Sequence, residues 1–194
     1  MKAFEAPDFF NLESLLNEDE ILIRDSIRQF VTKEVMPTIA EDYDKGIFPK
    51  RLIPLLAEMG TLGASIKGYG CAGVSYTAYG LIMQELERGD SGLRSFVSVQ
   101  GALCMHPIAE FGTEEHKQKY LPKMAKGELI GCFGLTEPDF GSNPGGMITT
   151  AKKDGDHYIL NGSKMWITNG GIADLAIVWA KNDEGKIIGL IVDR

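Results

Sequence analysis

Cysteine is scarce in this chain. Cys71, Cys104 and Cys132 are odd in number and form no Cys-x-x-Cys pair, which argues against a disulfide framework or a zinc site and for reduced, buried thiols. Histidine is equally sparse: His106, His116 and His157 lie on different segments at no metal-ligand spacing, so no metal is expected. No apolar run approaches the roughly 20 residues that a bilayer span requires. No cluster of basic residues occurs either, and 20 Lys+Arg stand against 27 Asp+Glu for a formal net charge of −7. That balance disfavours nucleic acid and anionic membrane surfaces as partners. Glu5 and Asp8 interrupt any signal-peptide core, so no targeting segment and a bacterial-type cytoplasmic location are expected. A Walker loop and a Gly-x-Ser-x-Gly elbow are also missing.

What is present reads as an ordinary globular protein, 194 residues with 44% hydrophobic and 24% charged side chains, enough for a core without staples. The pattern changes near residue 128. Before it, Asn17 and Glu20 have capping-box spacing, and Ile23, Ile27, Phe30, Val31 and Val35 follow at helical intervals. Pro37 should end or kink that helix. Leu52, Leu55, Leu56 and Met59 form a second stripe, stopped by Gly60 and Gly63. Tyr79 to Leu86 and Leu93 to Phe111 predict two central helices, with a helix break at His106-Pro107; Thr113 should cap a last helix closed by Gly127. Beyond that the period approaches two. Asp154-Gly155, Asn161-Gly162, Asn169-Gly170 and Glu184-Gly185 separate short apolar runs, including Met165 to Thr168 and Leu175 to Ala180, which predicts a β-meander. The expected class is α+β: an all-α helical domain over 1–127, then the first part of an incomplete antiparallel β-sandwich or barrel over 128–194.

Four segments bear on chemistry. Gly68-Tyr-Gly70-Cys-Ala-Gly73 matches a dinucleotide fingerprint in letters, but no β-branched strand feeds it and none follows the next helix, so a glycine-rich interhelical loop is the better account. Gly131 to Met147 runs from a short strand through Thr136 and Pro138 into a loop with Gly141 and Ser142. That loop suits a phosphate oxygen, although a plain strand exit explains the same letters. In Lys164 to Gly170, Trp166 and Thr168 would share one strand face, either against a flat cofactor or as core. Arg94 opens a very apolar helix and needs an anion: Asp90, Glu87 or a ligand carboxylate.

Leu135-Thr136-Glu137-Pro138 with Gly141-Ser142, then Asn161-Gly162, Lys164 and Trp166-Ile167-Thr168-Asn169, resemble the acyl-CoA dehydrogenase family of flavoproteins over nearly the whole chain. Glu114 to Gly127 is similar to a further family segment. Asp90-Ser91-Gly92, Arg94-Ser95, Ser98-Val99-Gln100 and Met105 to Ile108 resemble its glutaryl-CoA-oxidising branch. The resemblance implies FAD lined by Phe133, Gly134, Leu135, Thr136, Gly141, Ser142, Trp166, Ile167 and Thr168. It implies an acyl-CoA thioester, glutaryl-CoA, whose distal carboxylate meets Arg94, Ser95 and Ser98, with Ser142 touching the CoA portion. The implied reaction is α-proton abstraction, hydride transfer to the flavin and decarboxylation to crotonyl-CoA, with electrons leaving to an electron-transfer flavoprotein from a homotetramer. Asn143 stands where many members carry Asp, which bears on loop shape more than chemistry. The family's catalytic glutamate belongs to a C-terminal helical domain expected beyond Arg194. No catalytic residue is therefore assigned within these residues, and the isolated chain is expected to be inactive. The contrasting reading is a non-catalytic helical-plus-β module that binds acyl-CoA or a partner.

Overall fold

A computed structural model describes residues 7–194. Its first long helix, α1 (Glu18–Phe30), starts where the capping box predicts: Asn17 accepts from the Glu20 amide at 2.9 Å, and Glu20 accepts from the Asn17 amide at 3.1 Å. The helix continues through a π-turn, Val31–Val35, in which the Met36 amide reaches five residues back to the Val31 carbonyl. Pro37 then ends it, having no N–H to offer. Two short helices, α2 (Ile39–Asp44) and α3 (Ile53–Glu58), precede the long α4 (Tyr76–Gly89), which is capped by Ser75. The α2 turn carries no apolar stripe and was not anticipated.

The central helical path is α5 (Ser91–Ser98), a π-helical stretch Val99–Met105 and α6 (His106–Phe111). The break expected at His106-Pro107 does not occur. A proline ring crowds the carbonyl four residues back, and the widened turn immediately before Pro107 carries the helix past it. Thr113 caps the last helix, α7 (Glu114–Ala125), as predicted.

Ile27, Leu56, Leu86, Leu93 and Phe96 form one core among the helices. Glu85, almost fully buried, ties α1 to α4 by accepting from Arg28 at 2.7 Å and Arg88 at 2.9 Å. Burial opposes its charge, yet the two guanidiniums hold its carboxyl below the ordinary range. A second core, with Cys104, Met105, Leu121 and Met124, joins the helices to Leu175 and Ile177 of the sheet.

That sheet has five strands: β1 (Gly131–Gly134), β2 (Thr150–Asp154), β3 (His157–Asn161), β4 (Leu175–Lys181) and β5 (Ile187–Asp193). The α+β architecture with an unclosed sheet is as expected. The meander is not, and the sheet is mixed rather than antiparallel. β4 pairs antiparallel with β5 but parallel with β1, from Gly131↔Leu175 to Gly134↔Val178. The β2–β3 hairpin joins the same side of β4 through Thr150↔Lys181. Only Asp154-Gly155 and Glu184-Gly185 make hairpins; Asn161-Gly162 ends β3 and Asn169-Gly170 lies in the long connection to β4.

Helix and sheet meet at Gln100. Its amide donates to the carbonyls of Met124 (3.1 Å) and Leu129 (2.8 Å), and its oxygen accepts from the Gly131 amide at 2.8 Å. Gly131 is needed there, because a Cβ would sit 2.7 Å from that of Cys104. The three cysteines are free, Cys104 and Cys132 buried and Cys71 half-buried. Among the described residues no group of side chains could hold a metal, and no helix is long and apolar enough to cross a membrane.

Candidate functional site

The connection from β1 to β2 is closed at its base by one carboxylate. Glu137, 2% exposed, accepts from the amides of Ile148 at 2.7 Å and Thr149 at 3.0 Å and from Lys164 Nζ at 2.9 Å. Desolvation pushes its pKa up, but the Ile148 amide, the Lys164 ammonium and the Thr149 amide outweigh burial and hold the carboxyl at about 2. Glu137 is therefore a clamp, permanently charged and fully paired at neutral pH.

The segment after β3 lies alongside the end of β1. Lys164 Nζ also donates to the Leu135 carbonyl at 3.0 Å, the Met165 amide to the Thr136 carbonyl at 2.9 Å, and the Asn169 side chain to the Gly131 carbonyl at 3.1 Å. These bonds bring the two motifs together. They also correct one expectation: Met165 to Thr168 is irregular backbone, not a strand, so Trp166 and Thr168 do not share a strand face. Trp166 is not core either. It is 85% exposed with φ at 60°, a left-handed conformation that costs a non-glycine residue about 1 kcal/mol or more. An exposed indole held in a strained backbone by bonded neighbours is what a ligand wall requires and a core position does not.

The other expected residues divide. Phe133 packs edge-on against Trp179, ring centroids 6.0 Å apart, so its side chain packs against the second core. Gly134 is buried, and a Cβ there would make ordinary contacts with Lys164 and Val178. Gly141 and Ser142 are exposed on the loop, and a Cβ at Gly141 would meet nothing within 4 Å; the chain itself leaves that face open. Ile167 is half-buried. Among the described residues the hydroxyls of Thr136, Ser142 and Thr168 have no partner, while the backbone carrying Thr136 is tied down. FAD fits this donor set: a flat ring against Trp166, hydroxyls for its polar edge and pyrophosphate, and a Glu137 charge already neutralised by Lys164.

Arg94 resolves differently. Its Nε donates to Glu87 at 2.6 Å, and Ser91 Oγ donates to the other Glu87 oxygen at 2.6 Å. Those two donors, Ser91 first, keep the Glu87 carboxyl below its ordinary value. Asp90, the alternative partner, caps α5 by accepting from the Leu93 amide. The Ser98 hydroxyl donates to the Ser95 carbonyl at 3.1 Å, one turn along the same helix. Glu87 holds one edge of the guanidinium, and the outer nitrogens have no partner among the described residues. Sequence reasoning named Glu137, Lys164 and Gln100 only as motif letters. Only Gln100 left a signal, as a polar residue within an otherwise apolar, buried stretch; Glu137 and Lys164 sit among exposed neighbours. A groove of about 660 Å³ between α6–α7 and the sheet face is lined by Phe111, Tyr120, Ile177 and Trp179 and by none of the expected site residues.

Two family descriptions match the chain. Residues 17–128 match the family described as acyl-CoA dehydrogenase, N-terminal domain, and residues 132–194 match acyl-CoA dehydrogenase, middle domain. A short-chain-specific acyl-CoA dehydrogenase of Clostridium acetobutylicum is 41% identical over 88% of this chain and 45% of its own length. The crystal structure of a glutaryl-CoA dehydrogenase from Mycobacterium smegmatis in complex with FADH2 is similar with a TM-score of 0.94 and 50% identity, over 96% of this chain and 48% of that one. Butyryl-CoA dehydrogenase from Megasphaera elsdenii is similar with a TM-score of 0.86 and 38% identity, over 92% and 49%. The chain thus spans about half the length of the relatives it matches.

Proposed function

The chain belongs to the acyl-CoA dehydrogenase family, and from that premise we propose that it forms the helical and flavin-facing part of an FAD-dependent dehydrogenase of glutaryl-CoA. The observation that carries the flavin reading is the bonded pair of segments at Leu135–Thr136 and Lys164–Trp166, with free hydroxyls and an exposed indole on it. When bound, FAD supplies the acceptor for a hydride leaving the acyl chain. The residues present bind and orient. Thr136 and Thr168 offer hydroxyls to the ring edge, Trp166 covers a face from water, and Gly141-Ser142 meets the pyrophosphate and the CoA portion.

The substrate reading rests on Arg94. A straight acyl tail would leave its outer nitrogens unsatisfied, whereas a distal carboxylate takes them in bidentate fashion, with Ser95 and Ser98 beside it. The Glu87 partner fixes the fork without filling it. Comparison with a short-chain substrate is the natural test, since short-chain relatives are also similar to this chain. The complete enzyme is expected to oxidise glutaryl-CoA in preference to butyryl-CoA, and Arg94→Ala to abolish the preference. Equal rates on both thioesters before and after the substitution would remove the substrate reading. Electron-transfer flavoprotein as acceptor, a homotetrameric assembly and a cytoplasmic location belong to the same proposal. These residues alone are expected to bleach no flavin with acyl-CoA, because Glu137, at about 2, is a poor base and Glu85 is held ionised by two arginines.

A further inference from the structure

The geometry points to the Glu137–Lys164 pair as a positioning device: it sets the Leu135–Thr136 segment and the Gly141–Ser142 loop relative to each other for the flavin. The inference rests on the flavin reading above and goes beyond it in naming what holds the site in shape.

Three observations carry it. Lys164 Nζ is shared between Glu137 Oε1 at 2.9 Å and the Leu135 carbonyl at 3.0 Å, so the cation pins backbone that faces the site. The same carboxylate takes the Ile148 and Thr149 amides, which lie on the far side of the loop bearing Ser142. Two walls of one site hang from one ion pair. Packing around it is tight as well: at Gly162, beside the pair, a Cβ would come within 2.3 Å of Thr149 Oγ1.

Stability alone does not require such a pair. A buried ion pair is often no better for folding than apolar side chains of similar volume, although breaking it by removing one partner is costly. The buried Glu85 cluster shows the contrast, since its arginines join helix to helix and touch neither motif. At the Glu137–Lys164 pair the bonds run instead to the main chain of two site segments, at Leu135 and at Ile148–Thr149. An apolar replacement can fill that volume but cannot hold the Leu135 carbonyl.

This separates positioning from folding. Lys164→Met alone strands a buried carboxylate and should be the least stable variant. In Glu137→Gln/Lys164→Met no charge is left unpaired, and Gln still accepts from an amide. Urea unfolding without FAD is expected to place the double variant clearly above Lys164→Met. Titration with FAD, followed by flavin fluorescence and by the shift of the visible band, is expected to show affinity still weaker by about tenfold or more. Recovery of FAD affinity in step with stability would overturn the proposal, leaving the pair a folding element only. A complete wild-type enzyme that takes up no FAD would overturn the flavin reading itself and this inference with it. Amide exchange gives an independent reading without flavin. In Glu137→Gln, exchange at Met165, bonded to the Thr136 carbonyl, should speed up while Gly131, held by Gln100, stays protected; an unchanged Met165 would also overturn the proposal.

Discussion

Gln100→Leu tests how the helices and the sheet are joined. Leucine fills nearly the same volume, so packing is retained and only hydrogen bonds are lost. Three groups lose a partner: the Gly131 amide and the carbonyls of Leu129 and Met124. The Met124 carbonyl keeps the Gly127 amide, so the loss falls on the other two. Each buried group left unsatisfied costs about 1–3 kcal/mol, and added apolar burial returns on the order of 1 kcal/mol. A net loss of roughly 2–3 kcal/mol follows, which lowers Tm by about 5–10 °C for a chain of this size. Gln100→Glu sharpens the test. One of its oxygens can still accept from Gly131, but the other faces two carbonyls, so the folded state keeps that carboxyl protonated and its pKa rises. The unfolded carboxyl ionises near its ordinary value of about 4.3, so stability is retained below that pH and falls as pH rises towards the folded value. Urea unfolding at several pH values reads both effects. A Gln100→Leu loss below about 0.5 kcal/mol, the level of an ordinary surface change, or a Gln100→Glu loss flat with pH, would refute this account of the junction.

Two further expectations are simpler. Trp166→Gly removes a strained left-handed residue with little burial, so chain stability should be unchanged or higher by up to about 1 kcal/mol, while FAD affinity falls; a clear loss of stability in denaturant would mean the indole is not the exposed wall described. Glu137 works in the opposite pH sense to Gln100→Glu. Its folded pKa is depressed from 4.5 to about 2, so its contribution is present above 4.5 and disappears as pH falls through that window. Acid unfolding of Glu137→Gln should therefore be shallower than wild type over that range.

Features governed by near neighbours were legible in the sequence. The Asn17–Glu20 box and the Thr113 cap depend on residues three apart, and both form as read. Features decided across the chain were not. The parallel β1–β4 ladder leaves no mark in either strand, because alternation and turn dipeptides report hairpins alone. Met165 to Thr168 shows the opposite failure: an exposed indole on irregular backbone carries the letters of a core strand. At Pro107 the local rule was sound and a π-turn absorbed it. For Arg94 the spacing left Asp90 and Glu87 open, and capping decided, since the Leu93 amide claims Asp90.

The parallel ladder bears on synthesis. β1 reaches the ribosome exit early, yet its ladder partner is β4, and the flanking bond from Ile130 to Asp174 spans 44 positions. The nascent helices can collapse as soon as α7 emerges, because α1 already has its partner α4 at hand. The Leu135–Thr136 segment has no ladder to extend until β4 has left the tunnel with β5 behind it. Ordering of the Leu135–Thr136 segment should accordingly lag helical folding by about sixty codons, a delay of several seconds at ordinary elongation rates.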